Sequence, residues 1–578
     1  MLDLVAEFAR LAADAVKAKY GTEGVPAELA IVRATKVEFG DLQCSGALQL
    51  AKPLGQKPRD VAQVIADGLA AHDAVAKTEI AGPGFVNLFL KDAWVAAHAA
   101  DGLALRQIGA GQKVVLDYSS PNVAKPMHIA HIRSTIIGDA IKRVLKAVGY
   151  EVIADNHLGD WGTQFGKLIV AWRKWLDPAA FERSPVEELL RLYIKFVEED
   201  KSADDAEGNE SDATPLLKEA RAELVKLQQG DAENVALWKR FIEVSLKEFG
   251  RIYQRLGVEF DHYYGESHYN DLLAGTVERL LKDGIAEESR GAIAVFFRKP
   301  DGTDELPPLL IRKADGGYLY GTTDIAGLLY RVDRWNPSRI LIVTDERQQL
   351  HFKQFFAVGR RLGITCSLEH VWFGLMRLPE GTISTREGKQ IGLEALLDEA
   401  ERRALAVATE SSPELSDAER REVARVVGIG AVKYNDLSKD RQTLVTFTWD
   451  KALSLQGNTA PYLQYAYARI KSILRKAAAD GAGEPGKVTA PTPVERALIM
   501  RLLGFPEAVE QVARSARPHV LADYLYELAG AFSTFYADHP VLKAEPAVRA
   551  SRLRLCALVA DTLQRGLALL GIEVLERM

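Results

Sequence analysis

Two histidines and a lysine at the start of one predicted helix are the residues best placed for chemistry. His128 and His131 are three residues apart, and Lys125 lies just before them. A helix N-terminus presents free backbone N–H groups and a partial positive charge, so it favours anions. Basic side chains there stabilise the charge that develops on a transferring phosphoryl group. The pattern predicts a nucleotide site, although two histidines in this position are also compatible with a capping or surface role.

The elements that must position these residues are a strand, a tight loop and a helix. Lys113–Ser119 contains the apolar run Val-Val-Leu, which is typical of a strand buried on both faces. Pro121 ends the strand, because proline fixes φ and has no backbone donor. After Pro126 the isoleucines recur at helical spacing.

A set of carboxylate and amide side chains is predicted at the carboxyl edge of the same sheet. Asp117 closes the first strand, Asn122 follows it, and Gln348 lies in the loop after the buried run RILIVT. Asp324 begins a predicted helix just after Tyr320, and taken alone it is better explained as an N-cap. A buried carboxylate such as Asp117 needs a partner. A pocket with two carboxylates and amide oxygens suits a guanidinium, whose donors form a planar fork.

Two polar, glycine-rich loops follow further predicted strands. Loops at the carboxyl ends of parallel strands are where such folds bind ligands. The loop 381–389 offers hydroxyl groups and basic side chains that are suited to closing over phosphates, although most such loops are solvated turns. The candidate residues are Gly159 and Asp160 after the strand Glu151–Asp155, and Ser384 and Arg386 in the loop 381–389.

Aromatic residues beside basic ones in the C-terminal helices are candidates for RNA contacts. Tyr462 and Tyr465 precede Arg469, and this combination can stack on and neutralise single-stranded RNA. Tyrosines partly buried in a helical bundle explain the same pattern equally well. Phe85 and Asn87 follow a glycine-rich turn near the N-terminus, where a simple hairpin with a buried Phe85 is the leading interpretation.

Composition limits the class of protein. The 578 residues carry a formal net charge of -6, so a nucleic acid would have to be bound by local basic patches. Three distant cysteines suit a reducing compartment, and no Cys/His spacing predicts a structural zinc site. No apolar run is long enough for a membrane span, and the acidic, amphipathic N-terminus is unlike a targeting peptide. We therefore expect a cytoplasmic protein, no protein-bound structural metal and no membrane partner.

The alternation of predicted elements divides the chain into three parts. Residues 1–108 suggest a small α+β domain, residues 109–440 a parallel α/β domain, and residues 441–578 an all-α helical bundle. The charged, helical stretch 167–260 is predicted to be an insertion into the α/β domain. Further strands of that domain are expected at Ala292–Arg298, Leu309–Arg312, Tyr318–Thr323, Arg339–Thr344 and Leu368–Leu378.

Taken together, these motifs resemble those of the class I aminoacyl-tRNA synthetases, specifically the arginyl-tRNA synthetases. The segment HIAH, within PNVAKPMHIAHIRSTIIGD, corresponds to the His-Ile-Gly-His element of that class. The resemblance covers nearly the whole chain, and the combination is specific although each piece alone is not. The other matching segments are NHLGDWGTQFG, YLYGTTDIA, QQLHFKQFF, STREGK, NTAPYLQYAYAR and LGIEVLERM.

The resemblance implies a Rossmann-like catalytic domain that activates arginine with ATP and Mg²⁺ and then transfers it to tRNA(Arg). It implies that Lys125, His128, His131, Gly159 and Asp160 bind ATP, and that Ser384 and Arg386 take part in catalysis. The arginine site would consist of Asp117, Asn122, Tyr320, Asp324 and Gln348. The N-terminal domain would contact the tRNA through Phe85 and Asn87, and the C-terminal bundle would bind it through Tyr462, Tyr465 and Arg469. We expect the chain to act as a monomer.

The sequence departs from the family pattern at both signatures. Ala130 replaces the glycine of the first signature, which adds a methyl group where the nucleotide packs. The second signature is degenerate, because Thr382–Arg386 contains no lysine, and the resemblance implies that Lys125 compensates. Two other classes remain open: a related ligase or nucleotidyltransferase without the acidic pocket, and an RNA-binding module without catalysis.

Overall fold

The computed structural model describes residues 4–200, 214–301, 303–314, 316–378, 381–382, 392–481, 484–489 and 491–578. The chain forms two compact units. One unit combines Met1–Ile108 with Ser454–Met578, and the other is Gly109–Leu453. None of the described helices is both long and apolar enough to cross a membrane.

The N-terminal part is an α+β fold with a four-stranded antiparallel sheet in the order β1-β2-β4-β3. Its elements are α1 (Leu4–Tyr20), β1 (Ile31–Arg33), β2 (Leu42–Cys44), α2 (Gly46–Leu50), α3 (Pro58–Ala70), β3 (Val75–Ala81), β4 (Phe85–Leu90) and α4 (Asp92–Ala97). Helices α1 and α3 bury apolar faces, including Phe8 and Ile65. Strand β1 is short, and the chain continues into a 3₁₀ helix at Val37–Phe39.

The second unit contains the parallel sheet that carries the candidate site. Its first half consists of β5 (Lys113–Asp117), α5 (Ile129–Ala147), β6 (Glu151–Asp155), α6 (Thr163–Trp175), α7 (Pro178–Arg183), α8 (Pro185–Glu199), α9 (Pro215–Gln228), α10 (Ala232–Leu256) and α11 (Asn270–Lys282). Its second half consists of β7 (Glu287–Ser289), β8 (Ala292–Arg298), β9 (Asp304–Arg312), α12 (Tyr320–Trp335), β10 (Arg339–Ile342), α13 (Gln349–Arg361), β11 (Ser367–His370), β12 (Met376–Leu378), β13 (Gly381–Thr382), α14 (Leu393–Ser411), α15 (Asp417–Leu437), β14 (Val445–Thr446) and α16 (Trp449–Ala452).

The predicted parallel sheet is confirmed, with the strand order β11-β10-β5-β6 and parallel pairing throughout. Its core combines apolar residues of the strands with those of α12 and α13, such as Val115, Ile340, Leu328 and Phe355. The carboxyl ends of the four strands therefore lie along one edge, where the polar loops follow them.

The strands predicted at Ala292–Arg298 and Leu309–Arg312 are present, but they pair in a separate antiparallel sheet, β7-β8-β9, and not in the parallel one. Tyr318–Thr323 is not a strand, because α12 already begins at Tyr320, so Asp324 lies inside the helix and is not its N-cap. The β-propensity of the tyrosines is outweighed by the burial of Ile325 and other apolar residues at helical spacing.

Leu368–Leu378 forms two strands in different sheets instead of one. β11 completes the parallel sheet, whereas β12 pairs with β14 and β13. The strand is interrupted between them at Gly374, where a Cβ atom would lie 2.7 Å from the backbone oxygen of Thr443. Because β14 and α16 pack in this unit, the unit ends at Leu453, beyond the boundary expected near Asp440.

The C-terminal part is all-α and shares a unit with the N-terminal part. Its helices are α17 (Ala460–Ala479), α18 (Pro493–Leu502), α19 (Phe505–Ser515), α20 (His519–Asp538) and α21 (Pro546–Leu569). Arg33 donates to both carboxylate oxygens of Glu507 at 2.6 and 2.8 Å, and Arg496 donates to both oxygens of Asp41 at 2.7 and 2.9 Å. These bidentate pairs tie the two ends of the chain together.

A buried ion pair connects α5 to α15 in the second unit. The guanidinium of Arg133 is 1% exposed and donates to the Asp436 carboxylate at 2.8 to 3.1 Å and to the backbone oxygen of Gly374 at 2.5 Å. It thereby fixes α5, whose N-cap is His128, against α15.

We expect Arg133→Met to lower the free energy of unfolding by about 3–5 kcal/mol, because it leaves the Asp436 carboxylate buried without its cation. The double variant Arg133→Met/Asp436→Leu should recover much of that loss. Urea denaturation of the full chain measures both. The control Arg402→Met, which breaks an exposed pair with Glu399, should leave the transition unchanged. An equal loss in the single and double variants would contradict the role of this pair.

Candidate active site

The loop between β5 and α5 has an unusual backbone that is held by side chains of neighbouring elements. Ser119, Ser120 and Ala124 have φ values of 76°, 51° and 64°, in the left-handed region that non-glycine residues rarely adopt. Each of the three backbone N–H groups donates to a side chain. The acceptors are Ser134 Oγ at 2.9 Å, Asn156 Oδ1 at 3.0 Å and Ser245 Oγ at 2.9 Å. Such strain persists only where the surroundings over-determine it.

Helix α10, from the stretch predicted to be an insertion, is part of this support. It supplies Ser245 and also Tyr253, whose hydroxyl is 2.7 Å from Ser119 Oγ and accepts from Asn156 Nδ2 at 2.9 Å. Burial raises the pKa of Tyr253, so the hydroxyl remains protonated and keeps its hydrogen bonds. The inserted helices therefore help to shape the loop that carries Asn122 and Lys125.

The two histidines cap the helix that they begin. His128 Nδ1 accepts from the backbone N–H of Ala130 at 3.2 Å, and His131 Nδ1 accepts from the backbone N–H of His128 at 3.1 Å. The rings stack with their centroids 3.8 Å apart. Burial lowers the pKa of His131 to about 3, and burial together with Arg347 and Lys125 lowers the pKa of His128. Both rings are therefore neutral at pH 7, and because Nδ1 accepts, Nε2 carries the hydrogen. Capping and ligand binding are compatible here, since they use different ring nitrogens.

Lys125 is half-buried beside a second element of the inserted region. Its Nζ lies 4.5 Å from the centroid of the Tyr193 ring in α8, a cation–π contact. Burial and the charge of Lys167 lower the pKa of Lys125. An anion that bound here would relieve both effects, so this position favours phosphate.

A cavity of about 430 Å³ lies at the carboxyl edge of the parallel sheet. It brings together all five residues predicted for the arginine site and the predicted nucleotide residue Gly159. These residues are Asp117, Asn122, Gly159, Tyr320, Asp324 and Gln348. The close approach of two loops requires the glycine, because a Cβ on Gly159 would lie 2.1 Å from Asn122 Oδ1.

Asp117 already has a partner within the protein. Arg331 Nη2 donates to Asp117 Oδ2 at 2.7 Å and to Asp155 Oδ2 at 2.8 Å, and all three side chains are buried. The sequence indicated that a buried Asp117 needs a partner. In the structure that partner is the guanidinium of Arg331 in α12, which belongs to the protein itself. Asp117 therefore does not depend on the amino acid for a positively charged partner.

Glu266 is a cavity residue that sequence reasoning missed. It lies in a short 3₁₀ helix, Glu266–Tyr269, and lines the cavity. Burial and the nearby Asp324 and Asp160 carboxylates raise its pKa to about 7, although His157 opposes this shift. Within the described residues, no donor bonds to its carboxylate. The only signal in the sequence was an acidic residue after a glycine, which is too common to single out.

Asp160, predicted to bind nucleotide, does not line this cavity. Its carboxylate accepts from the backbone N–H of Ser267 at 2.8 Å and from the Ser267 hydroxyl at 2.6 Å. The side chain therefore fixes the 3₁₀ helix that carries Glu266, and the structure gives it a supporting position. Ser384 and Arg386, predicted to take part in catalysis, lie outside the described residues.

The residues predicted to contact tRNA lie in the other unit. Asn87 is 3% exposed and accepts from Gln43 Nε2 at 2.8 Å, so the expectation of an exposed contact is wrong for Asn87. Asn87 is buried because β4 is an inner strand, so residues of both β2 and β3 flank it. Phe85 and Tyr462 are partly exposed, and Tyr465 is 48% exposed. Arg469 is exposed and lies 4.7 Å from the Tyr536 ring.

No group of three or more His, Cys, Asp or Glu side chains among the described residues is arranged to hold a metal ion. The residues found here at the predicted phosphate end, Lys125, His128 and Arg347, are donors and not metal ligands. The described side chains therefore do not form a dedicated magnesium site.

Three family models match successive stretches of the chain. They are described as "Arginyl tRNA synthetase N terminal domain" at residues 6–90, "tRNA synthetases class I (R), catalytic domain" at residues 95–449 and "DALR anticodon binding domain" at residues 463–578.

Curated relatives and solved structures are similar over nearly their whole length. The arginine–tRNA ligase of Fusobacterium nucleatum subsp. nucleatum is 44% identical over 96% of this chain and 95% of its own. That of Alteromonas mediterranea is 46% identical over 96% and 97%. The structure of Thermus thermophilus arginyl-tRNA synthetase has a TM-score of 0.84 and 26% identity, covering 100% of both chains. That of the Plasmodium falciparum enzyme, with a TM-score of 0.82 and 24% identity over 100% of both chains, shows the fold alone.

We expect Glu266→Gln to stabilise the protein at pH 8. The folded-state pKa of about 7 lies above the ordinary glutamate pKa of 4.5, so the native state loses stability as the pH rises from 4.5 through 7. The neutral amide removes this penalty, which is about 1–3 kcal/mol. The advantage should therefore be largest at pH 8 and shrink toward pH 5.

Thermal unfolding of the wild type and the variant at both pH values measures this difference. Glu278→Gln, at an exposed position of α11, is the matched control and should show no pH-dependent change. A variant that is less stable than the wild type at pH 8 would show that the Glu266 carboxylate contributes to folding instead of opposing it.

Proposed function

Because this chain belongs to the class I arginyl-tRNA synthetases, we propose that it is an arginine–tRNA ligase. It activates arginine with ATP to arginyl-adenylate, and it transfers the arginyl group to the 3′-terminal adenosine of tRNA(Arg), releasing AMP and pyrophosphate. The observation that carries this proposal is the cavity at the sheet edge. One loop connects the acidic residue at the end of β5, which lines this cavity, to the start of helix α5.

The acidic end of the cavity suits the guanidinium of arginine. Arg331 neutralises one of the two charges of Asp117 and Asp155. The three side chains together therefore keep a net negative charge. Asp324 and Glu266 add further carboxylates at the same cavity. We assign the guanidinium to these carboxylates and Tyr320. Asn122 and Gln348 then remain to bind the polar backbone groups of the amino acid, as amide side chains can both donate and accept.

The opposite end suits the triphosphate of ATP. Lys125 supplies a cation, and the Nε2–H groups of His128 and His131 supply neutral donors at a helix N-terminus. Gly159 lines the cavity beside this loop. Ser384 and Arg386 remain predicted contributors from the degenerate second signature. Mg²⁺ would accompany ATP on its phosphate oxygens and neutralise the leaving pyrophosphate.

The chemistry requires mainly positioning and charge stabilisation. A carboxylate oxygen of arginine attacks the α-phosphorus of ATP, and the bond from that phosphorus to the pyrophosphate oxygen breaks, so pyrophosphate leaves with the electron pair. A ribose hydroxyl of the tRNA, expected to be the 2′-OH in class I, then attacks the carbonyl carbon and AMP leaves. Lys125 and the two histidines stabilise the charge on the phosphoryl group in the first step.

Contacts with tRNA are proposed for the unit that holds the N- and C-terminal parts. Tyr465 and Arg469 present an exposed aromatic ring and an exposed cation on α17, and Tyr462 lies partly exposed on the same helix. These groups can stack on unpaired bases and contact phosphates. Phe85 stays a proposed contact on the N-terminal part. We propose that the protein works in the cytoplasm and acts as a monomer.

Arginine-dependent exchange of pyrophosphate into ATP, run with and without tRNA(Arg), tests the function. We expect exchange with arginine in at least one of the two conditions and none with lysine or glutamate. A related ligase would exchange with another amino acid, and a purely RNA-binding module would show no exchange. The absence of arginine-dependent exchange in both conditions would reject the proposed function.

Asp324→Ala tests the arginine site. Loss of a hydrogen-bonded charge should raise the KM for arginine about 10- to 100-fold, while the KM for ATP changes little. Asp333→Ala, at an exposed position of the same helix, is the matched control and should behave like the wild type. Equal increases in both KM values would contradict the assignment of Asp324 to arginine.

Lys125→Met tests the phosphate end. Removing the cation while keeping a similar length should lower kcat for exchange about 100- to 1,000-fold, because the charge acts on the transition state. The KM for arginine should stay near the wild-type value, and Lys146→Met, exposed in the last turn of α5, should have no effect. A wild-type kcat in Lys125→Met would show that other groups carry this charge stabilisation.

A further inference from the structure

His351 forms a close contact with one of the proposed arginine-binding residues. Its Nε2 lies 2.5 Å from Asp324 Oδ2, and the ring is largely buried at the first turn of α13. His351 also lines the cavity. Sequence reasoning used the segment QQLHFKQFF only as a family match and assigned no role to this histidine.

The other ring nitrogen identifies the tautomer. His351 Nδ1 is buried and has no hydrogen-bond partner within the described part of the chain. A hydrogen there would be a buried donor without an acceptor, which costs more than an unused lone pair. The ring is therefore neutral with its hydrogen on Nε2, and it donates to Asp324 without cancelling the carboxylate charge. Asp324 Oδ1 accepts no hydrogen bond from the described residues, so it is open to a ligand.

The same ring also contacts Tyr320. The Tyr320 and His351 ring centroids are 4.7 Å apart, and the Phe355 ring is parallel to the His351 ring at 6.0 Å. Tyr320 and Asp324 are one helical turn apart on α12, so both present the same side of that helix to His351. Tyr320 itself is 62% exposed.

We propose that His351 is a positioning residue that sets the specificity for arginine. It holds the Asp324 carboxylate in one orientation by a hydrogen bond and supports the Tyr320 ring by packing. Because it does so as a neutral donor, the carboxylate keeps its full charge for a guanidinium. This inference rests on the proposed function, since it concerns how the same cavity selects its amino acid.

The expected effect is confined to arginine. In pyrophosphate exchange, His351→Leu should raise the KM for arginine about 10- to 100-fold, whereas kcat and the KM for ATP change less than about threefold. His351→Gln should stay close to the wild type, because its side-chain amide can place a donor near the position of Nε2. His351→Asn should resemble His351→Leu, because its shorter amide reaches only the position of Nδ1.

Discrimination against citrulline provides a second readout. Citrulline has nearly the shape of arginine, but its side chain is neutral. If His351 keeps Asp324 oriented and charged, the ratio of kcat/KM for arginine to that for citrulline should fall in His351→Leu and remain high in His351→Gln. A purely structural role would lower activity with both amino acids alike. Lys353→Gln, exposed two residues away on α13, is the matched control.

An unchanged KM for arginine in His351→Leu would overturn the proposal, as would equal effects of the Gln and Asn substitutions. If the Leu variant does not fold, the comparison of Gln with Asn decides the question, because both keep a polar amide. Failure of the wild type to exchange pyrophosphate with arginine would instead reject the proposed function, which separates the two failures.

Discussion

The strained loop between β5 and α5 is the constraint on which the site depends. Its left-handed residues, Ser119, Ser120 and Ala124, are unfavourable for the backbone by about 1–3 kcal/mol each. They persist because α5, the exit of β6 and the inserted helix α10 each provide an acceptor for one backbone N–H group. A loop that is fixed from three sides holds the carboxylate at the end of β5 at a set distance from the histidines that begin α5. The two reacting groups of the proposed reaction can therefore be placed with little reorganisation.

Burial shifts the charges at the two ends of the site in opposite directions. At the acidic end, it raises the pKa of Glu266 to about 7 and raises the pKa of Asp155. At the basic end, it lowers the pKa values of Lys125 and His131. For Glu266 and Lys125, burial thus disfavours the charge that would pair with the proposed ligand, and binding of a cation or an anion would relieve that cost. The buried charged groups at both ends of the site therefore lower the stability of the unliganded protein.

Segments far apart in the sequence complete the architecture. The inserted region is more than an appendage, because α8 places Tyr193 against Lys125 and α10 places Ser245 against the loop. Likewise, the first and last parts of the chain share one compact unit, joined by bidentate pairs such as Arg33 with Glu507. None of these contacts follows from local pattern, since each depends on which surfaces meet after folding.

The sequence by itself determined β5, α5 and β10, and with them the sheet edge that carries the candidate site. The apolar run of β5, the helical spacing of α5 and the buried run of β10 are local signals, and parallel strands must end at the same edge. Asp117, Asn122 and Gln348 could therefore be placed together without coordinates. Only the tertiary structure decided their electrostatic partners, because pairs such as Asp117 with Arg331, or Asp324 with His351, join residues on different elements. It likewise buried Asn87 in an inner strand, since a period of two shows which residues share a face but not which strands flank them.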